Sequence, residues 1–209
     1  SDLYTEHFSG RNRLLPPTEA EKLREEYALA DCVVAVSRAL SDNIRRNTGI
    51  SARVIHNIVD VETFHPQRRS HPGFRFVTAA NLVPIKRVDM LLEAFALAGV
   101  ENSELTIFGD GPEGIRLRSL AEQRHISERV NFRGNCPRST LAEEYARSDC
   151  YVISSQAETF CLAGAEAMAA GLPVISTRCG GPEDYIDEEN GLFVPADDAE
   201  AMAASMREM

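Results

Sequence analysis

No apolar run in the 209-residue chain approaches the roughly 18 residues that cross a bilayer as a helix. The first residues lack the layout of a secretory leader. No C-x-x-C pair occurs among the five cysteines, Cys32, Cys136, Cys150, Cys161 and Cys179. Their wide spacing and odd number argue against a disulfide framework or a zinc site and point to a reducing compartment. Positive charge is in short supply: 22 Lys and Arg face 32 Asp and Glu, for a net charge of -10. That balance argues against nucleic acid or an anionic membrane as the main partner, though not against a local basic pocket. Internal repeats, low-complexity stretches and acidic clusters with metal-ligand spacing are also missing. The expectation is a soluble, cytoplasmic globular protein. Its 44% hydrophobic and 26% charged residues suit one domain with a real core, alone or with a piece of another.

Organisation follows from the punctuation of the chain. Pro16-Pro17, then Thr18 and Glu21 at capping-box spacing, predict a helix running to about Ala30. Cys32–Val36 reads as a short buried strand, Ser37 caps a helix ending near Gly49, and Arg53–Ile55 makes another strand. Phe64 to Gly73, with two prolines and no apolar periodicity, reads as an inter-domain linker. Beyond it strands and helices alternate. Strands are expected at 74–80, 105–108, 130–133, 150–154, 173–177 and 191–194. Helices are expected near 88–98, 113–124, 138–147, 163–170 and 182–187, with a last one from about Asp197. Such alternation gives an α/β fold, a Rossmann-like parallel sheet with helices on both faces, whose ligands sit at the carboxyl ends of the strands.

The strand-to-helix joints are therefore where chemistry is sought. Lys86 and Arg87 stand together just before a helix, where cations and free backbone N–H groups favour an anion such as a diphosphate. Alone, the pair is as well read as solvated surface charge. Gly109-Asp-Gly111 allows either a plain turn or a close approach to a ligand. Ser154–Leu162 leads into a helix whose start could face a phosphate, with Glu158 in the loop and Glu166 about one turn into the helix. A solvated helix glutamate is the default for Glu166 until context is added. Gly180-Gly181-Pro182 is explained as a turn into a helix.

Taken in order, the blocks are more specific than any one of them. They are Ala30–Ser37 with His56-Asn57 and Phe64-His-Pro66; Ala80–Asp89; Leu105–Pro112 with Val130–Gly134; and Glu158–Ile175, which carries E-x7-E and continues to Gly180-Gly181 and Gly191. Together they resemble glycosyltransferase family 4, whose members have the two-domain GT-B fold. The resemblance implies that residues 1–70 are the end of an acceptor-side domain plus linker, and 71–209 a nucleotide-sugar-binding domain. It also implies a fragment: the first domain would start upstream, and the final helix would run beyond Met209.

Roles carry over from the resemblance position by position. Lys86 would neutralise the donor's diphosphate; the family often has a second cation where Asn81 stands, and Arg87 is the substitute at hand. Glu166 would accept hydrogen bonds from the ribose, and Glu158 would contact the transferred sugar. Backbone groups of Phe160, Cys161 and Leu162 would meet the phosphate, although the family usually has glycine at the position of Cys161. The base would lie near Gly134–Cys136, with Gly109 in the same neighbourhood. His7 resembles the acceptor-domain histidine facing the reacting sugar. The implied reaction is retaining transfer from a nucleoside diphosphate sugar, UDP- or GDP-linked, to a carbohydrate or lipid-linked acceptor. No metal or other cofactor is expected. Peripheral association with the inner membrane surface would run through the missing part of the first domain. Two alternatives stay open: a nucleotide-sugar-binding module inactive as a fragment, and a GT-B-type sugar-nucleotide epimerase.

Overall fold

Short β-branched runs bounded by turn residues form the centre of the protein. The computed structural model describes residues 14–67 and 70–209. The first part comprises α1 (Pro17–Ala28), β1 (Val34–Ala35), α2 (Arg38–Thr48) and β2 (Arg53–Val54), with β1 and β2 paired in parallel. The second comprises β3 (Phe74–Ala79), α3 (Val88–Ala98), β4 (Ser103–Phe108), α4 (Gly114–Gln123), β5 (Val130–Gly134) and α5 (Arg138–Tyr145). It continues through β6 (Cys150–Ile153), α6 (Leu162–Ala169), β7 (Val174–Thr177), β8 (Gly191–Val194) and α7 (Ala199–Glu208).

The six strands β3–β8 make one sheet in the order β5-β4-β3-β6-β7-β8, every pairing parallel. Side chains alternate across it, as the two-residue period of a strand requires. Phe76, Leu105, Ile107, Val152 and Ile175 pack on one face with α3, α4 and α7. Val77, Tyr151, Ile153 and Val174 face the other, against Tyr145 of α5 and Ala167 of α6. The strand order reverses at β3: the chain moves outward to β5, then crosses back to lay β6 on β3's other side. The carboxyl ends of β3 and β6 therefore flank a topological switch point, where such sheets open a crevice.

Ser37 accepts a hydrogen bond from Leu40 N at 3.2 Å and Gly49 ends α2 in the left-handed region at φ 74°, as the sequence predicts. Several local expectations need correction. The capping box on Thr18 and Glu21 does not form: the helix begins at Pro17, which puts Thr18 inside its first turn and leaves Pro16, with no side-chain acceptor, at the N-cap. The helix expected over 182–187 is a four-residue 3-10 turn, Gly181–Asp184, and the strands at 32–36 and 53–55 shorten to two residues each. Phe64, read as the start of a linker, is fully buried with its ring 5.8 Å from Tyr145. A single apolar residue among prolines and polar groups shows no periodicity, so its anchoring role was not visible.

Candidate functional site

The two loops at the switch point are built to meet. After β3, Asn81–Val83 leads to a 3-10 turn at Pro84–Lys86, and Arg87 then enters α3 with φ 47°. After β6, Ser154–Cys161 leads into α6. Ser154 Oγ donates to Lys86 O at 2.8 Å, and Gln156 N to Ile85 O at 2.8 Å, lacing the loops together. Across this seam Lys86 Nζ stands 2.7 Å from Glu158 Oε1, with their side chains 18% and 9% exposed. Ser155 Oγ donates to the same Oε1 at 2.6 Å.

Burial is the largest single influence on the Lys86 ammonium and pushes its pKa down. The Glu158 charge and hydrogen bond together outweigh it, so the pKa sits above the usual lysine value. A lysine so held stays cationic and presents a fixed positive charge at the crevice.

The backbone of Glu158 is pinned as well. Its N–H donates to Cys179 O at 2.8 Å, and its carbonyl accepts from Gly181 N at 2.9 Å. Gly181 is required by that contact: a Cβ there would fall 2.4 Å from Phe160 Cα. Gly180-Gly181 is thus a turn, as its sequence suggests, and it is also the seat of the Glu158–Phe160 loop. Cys161 follows with φ 65°, a left-handed conformation that side chains disfavour and glycine accepts. Tyr185 holds it there by donating its hydroxyl to Cys161 O at 2.8 Å. No side chain caps α6. The first N–H groups of a helix have no intrahelical acceptor, so Leu162 opens an anion-attracting helix start beside Lys86 and Glu158.

Glu166, one turn into α6, is 3% exposed rather than the solvated helix residue its type suggests. Burial raises its pKa, and the nearby Arg138 charge works against that rise. Arg138 Nη2 stands 2.5 Å from Glu166 Oε1, an ion-pair distance, and both its charge and its hydrogen bonding favour the ionised carboxylate.

The other predicted residues fall into place unevenly. Arg87's guanidinium is held by Asp89 of α3 at 3.2 Å and by Asp197, just before α7, instead of pairing with Glu158. Asn81 is exposed at the end of β3. Gly109 and Gly134 lie at the ends of β4 and β5, joined by Gly109 N donating to Gly134 O at 2.8 Å. Gly109 has φ 110°, and a Cβ on it would come 1.9 Å from Ala80 O, so chain packing alone demands glycine there. Cys136 is half-buried, and burial raises its thiol's pKa. His7 lies outside the described residues.

Sequence reasoning passed over Arg138, Ser154, Ser155 and Tyr185. Arg138 opens α5 at the β5 joint, a position equivalent to that of Lys86 before α3, and only that analogy could have flagged it. Among the described residues, no group of three or more His, Cys, Asp and Glu could hold a metal ion, and no helix is long and apolar enough to cross a membrane. A cavity of about 370 Å³ lined by Pro66, Phe74, Tyr145, Asp149 and Gly171 sits at the amino ends of the strands. It is therefore separate from this crevice.

Residues 60–209 match the family model described as "Glycosyl transferases group 1". The chain is 33% identical over 189 residues to a GDP-mannose-dependent alpha-mannosyltransferase of Mycobacterium tuberculosis, covering 85% of this chain and 47% of that protein. It is 31% identical over 189 residues to the N-acetyl-alpha-D-glucosaminyl L-malate synthase of Bacillus anthracis, covering 83% and 49%. Its fold superposes on a sucrose-phosphate synthase from Thermosynechococcus elongatus with TM-score 0.82 and 26% identity, covering 92% of this chain and 52% of that one. The chain spans about half the length of these relatives. It belongs to the group 1 glycosyltransferases, and its α/β sheet is the Rossmann-like half of a GT-B fold.

Proposed function

We propose that this member of the group 1 glycosyltransferases binds a nucleoside diphosphate sugar at the β3/β6 crevice and, within its full-length protein, transfers the sugar with retention to a carbohydrate or lipid-linked acceptor. The observation carrying this reading is the Lys86–Glu158 pair across the switch point, beside the uncapped start of α6. Lys86 neutralises the diphosphate, and the N–H groups around Phe160–Leu162 bind its oxygens. As the bond from the anomeric carbon to the phosphate oxygen breaks, negative charge grows on the leaving diphosphate. A cation already in place stabilises that charge without reorganising. Lys86 takes the role a metal ion would otherwise hold, and no metal or other cofactor is invoked.

Glu158 bears on the stereochemistry. A double displacement needs a carboxylate free to attack the anomeric carbon. Oε1 of Glu158 already receives Lys86 and Ser155, and hydrogen bonds from a cation and a hydroxyl weaken a nucleophile. Front-face attack fits better: the acceptor oxygen bonds to the anomeric carbon on the side the phosphate leaves, and the leaving phosphate takes the acceptor's proton. Incubating the full-length protein with UDP-glucose, UDP-N-acetylglucosamine and GDP-mannose, and assigning the product's anomeric configuration by NMR, tests the retention that either route requires. An inverted product contradicts it.

Glu166 is assigned to the ribose hydroxyls, a reading supported by a carboxylate buried one turn into α6. Glu166→Ala is expected to weaken nucleoside diphosphate binding by about 1–3 kcal/mol, read by calorimetry. Unchanged affinity in a folded variant removes the assignment. The second reading, a binding module without turnover, applies to the isolated chain, since it spans only about half of its relatives' length. Transfer by the full-length protein and none by this chain is the expected comparison.

A further inference from the structure

Among the described residues Arg138 pairs with Glu166, and it is an unusual partner. Its side chain is 53% exposed, whereas that of Glu166 is 4% exposed. The guanidinium reaches in from solvent over the ring of Phe64, 5.1 Å from its centroid. It stands 2.5 Å from Oε1. A buried carboxylate held by a half-exposed guanidinium is open to a competing donor, because an exposed ion pair is worth little. A second carboxylate is at hand: Asp60, on the exposed turn before Phe64, is close enough that the Arg138 charge lowers its pKa, behind the larger effects of Thr63. The same Asp60 charge opposes ionisation of Glu166. Arg138 thus pairs with a buried carboxylate from a half-exposed position, with an aromatic face beneath it.

We propose that Arg138 is a built-in competitor of the donor's ribose, occupying Glu166 in the ligand-free chain and releasing it when a ribose hydroxyl pair takes its place. This rests on the assignment of Glu166 to the ribose. The guanidinium keeps a buried carboxylate from standing unpaired in the empty site, and nucleotide affinity is lowered by the fraction of molecules in which it is docked. It also sets discrimination, because only a ligand with hydroxyls to offer Glu166 repays the displacement. A nucleotide lacking the 2′-hydroxyl gains less from the same carboxylate.

The test is calorimetry at about pH 8, where carboxylates are ionised, with UDP, GDP and their 2′-deoxy counterparts. The proteins are the unaltered chain, R138A and R138K. R138A is expected to bind the preferred ribonucleotide on the order of fivefold more tightly, the value of one half-exposed ion pair. It should also widen the ratio of ribo to 2′-deoxy affinity, while R138K, which keeps the charge, stays near the unaltered chain. A purely structural role for Arg138 would not move that ratio. Thermal unfolding of each ligand-free variant checks its fold, and R138Q gives a second neutral side chain with the same expectation. Equal or weaker binding by folded R138A and R138Q overturns the proposal, and leaves the donor site standing if the unaltered chain still prefers the ribonucleotide. Binding of none of UDP, GDP, ADP and TDP by the full-length protein contradicts the donor-site reading itself and takes this inference with it.

Discussion

Lys86→Ala is expected to lower sugar transfer by the full-length protein by about 10²–10³-fold, the effect of deleting one preorganised charge from a site where charge develops. Two contributions must be separated. The first is lost stabilisation of the leaving diphosphate. The second is structural: Glu158, with its side chain 9% exposed, loses its cation and keeps only Ser155 on Oε1. Leaving a buried carboxylate under-satisfied costs about 1–3 kcal/mol. Adding Glu158→Gln to Lys86→Ala removes the unpaired charge and should restore thermal stability without restoring transfer. In binding, Lys86→Ala should weaken a nucleoside diphosphate far more than the parent nucleoside. An equal loss for both would remove Lys86 from the phosphates.

Gly181→Ala is expected to destabilise the chain by about 3 kcal/mol, at the upper end for overpacking. The reason is local and hard to relieve. The new Cβ would fall 2.4 Å from Phe160 N and Cα and 2.6 Å from Thr159 C, all backbone atoms. No rotamer change removes such a clash, so the Glu158–Phe160 loop or the 3-10 turn has to move. Either movement breaks Gly181 N to Glu158 O and shifts Glu158 from Lys86. The variant should therefore lose nucleotide affinity as well as stability, and denaturant unfolding with calorimetry reads both. Full stability would show that the loop yields freely and is not the rigid platform described.

Much of this was legible in the sequence, for identifiable reasons. Parallel strands buried on both faces read as β-branched runs, so all six strands of the main sheet fell within two residues of their expected places, the start of β4 being the furthest off. The crevice follows from strand order, and the joints after β3 and β6 were singled out by Lys86, Glu158 and the run into α6. Less visible was how those groups pair. Arg87 and Lys86 are neighbours in sequence, yet the left-handed turn at Arg87 sends one toward Asp89 and Asp197 and the other toward Glu158. Glu166 and Arg138 lie 28 positions apart, and only the packing of α5 beside α6 brings them together. Glycine at 109 looked like a ligand contact or a turn, and it answers to the carbonyl of Ala80. Nothing in a linear pattern distinguishes these origins, because each depends on a distant backbone.

The most direct test of the central claim, that the β3/β6 crevice is a nucleoside diphosphate site, is thermal unfolding of this chain with UDP, GDP, ADP or TDP. At about 100 times its dissociation constant a ligand adds roughly 2.7 kcal/mol of stability. The account predicts such a shift with one diphosphate, smaller with its 2′-deoxy form and lost in Lys86→Ala. No shift with any of the four in the full-length protein, or a shift indifferent to Lys86, would contradict it.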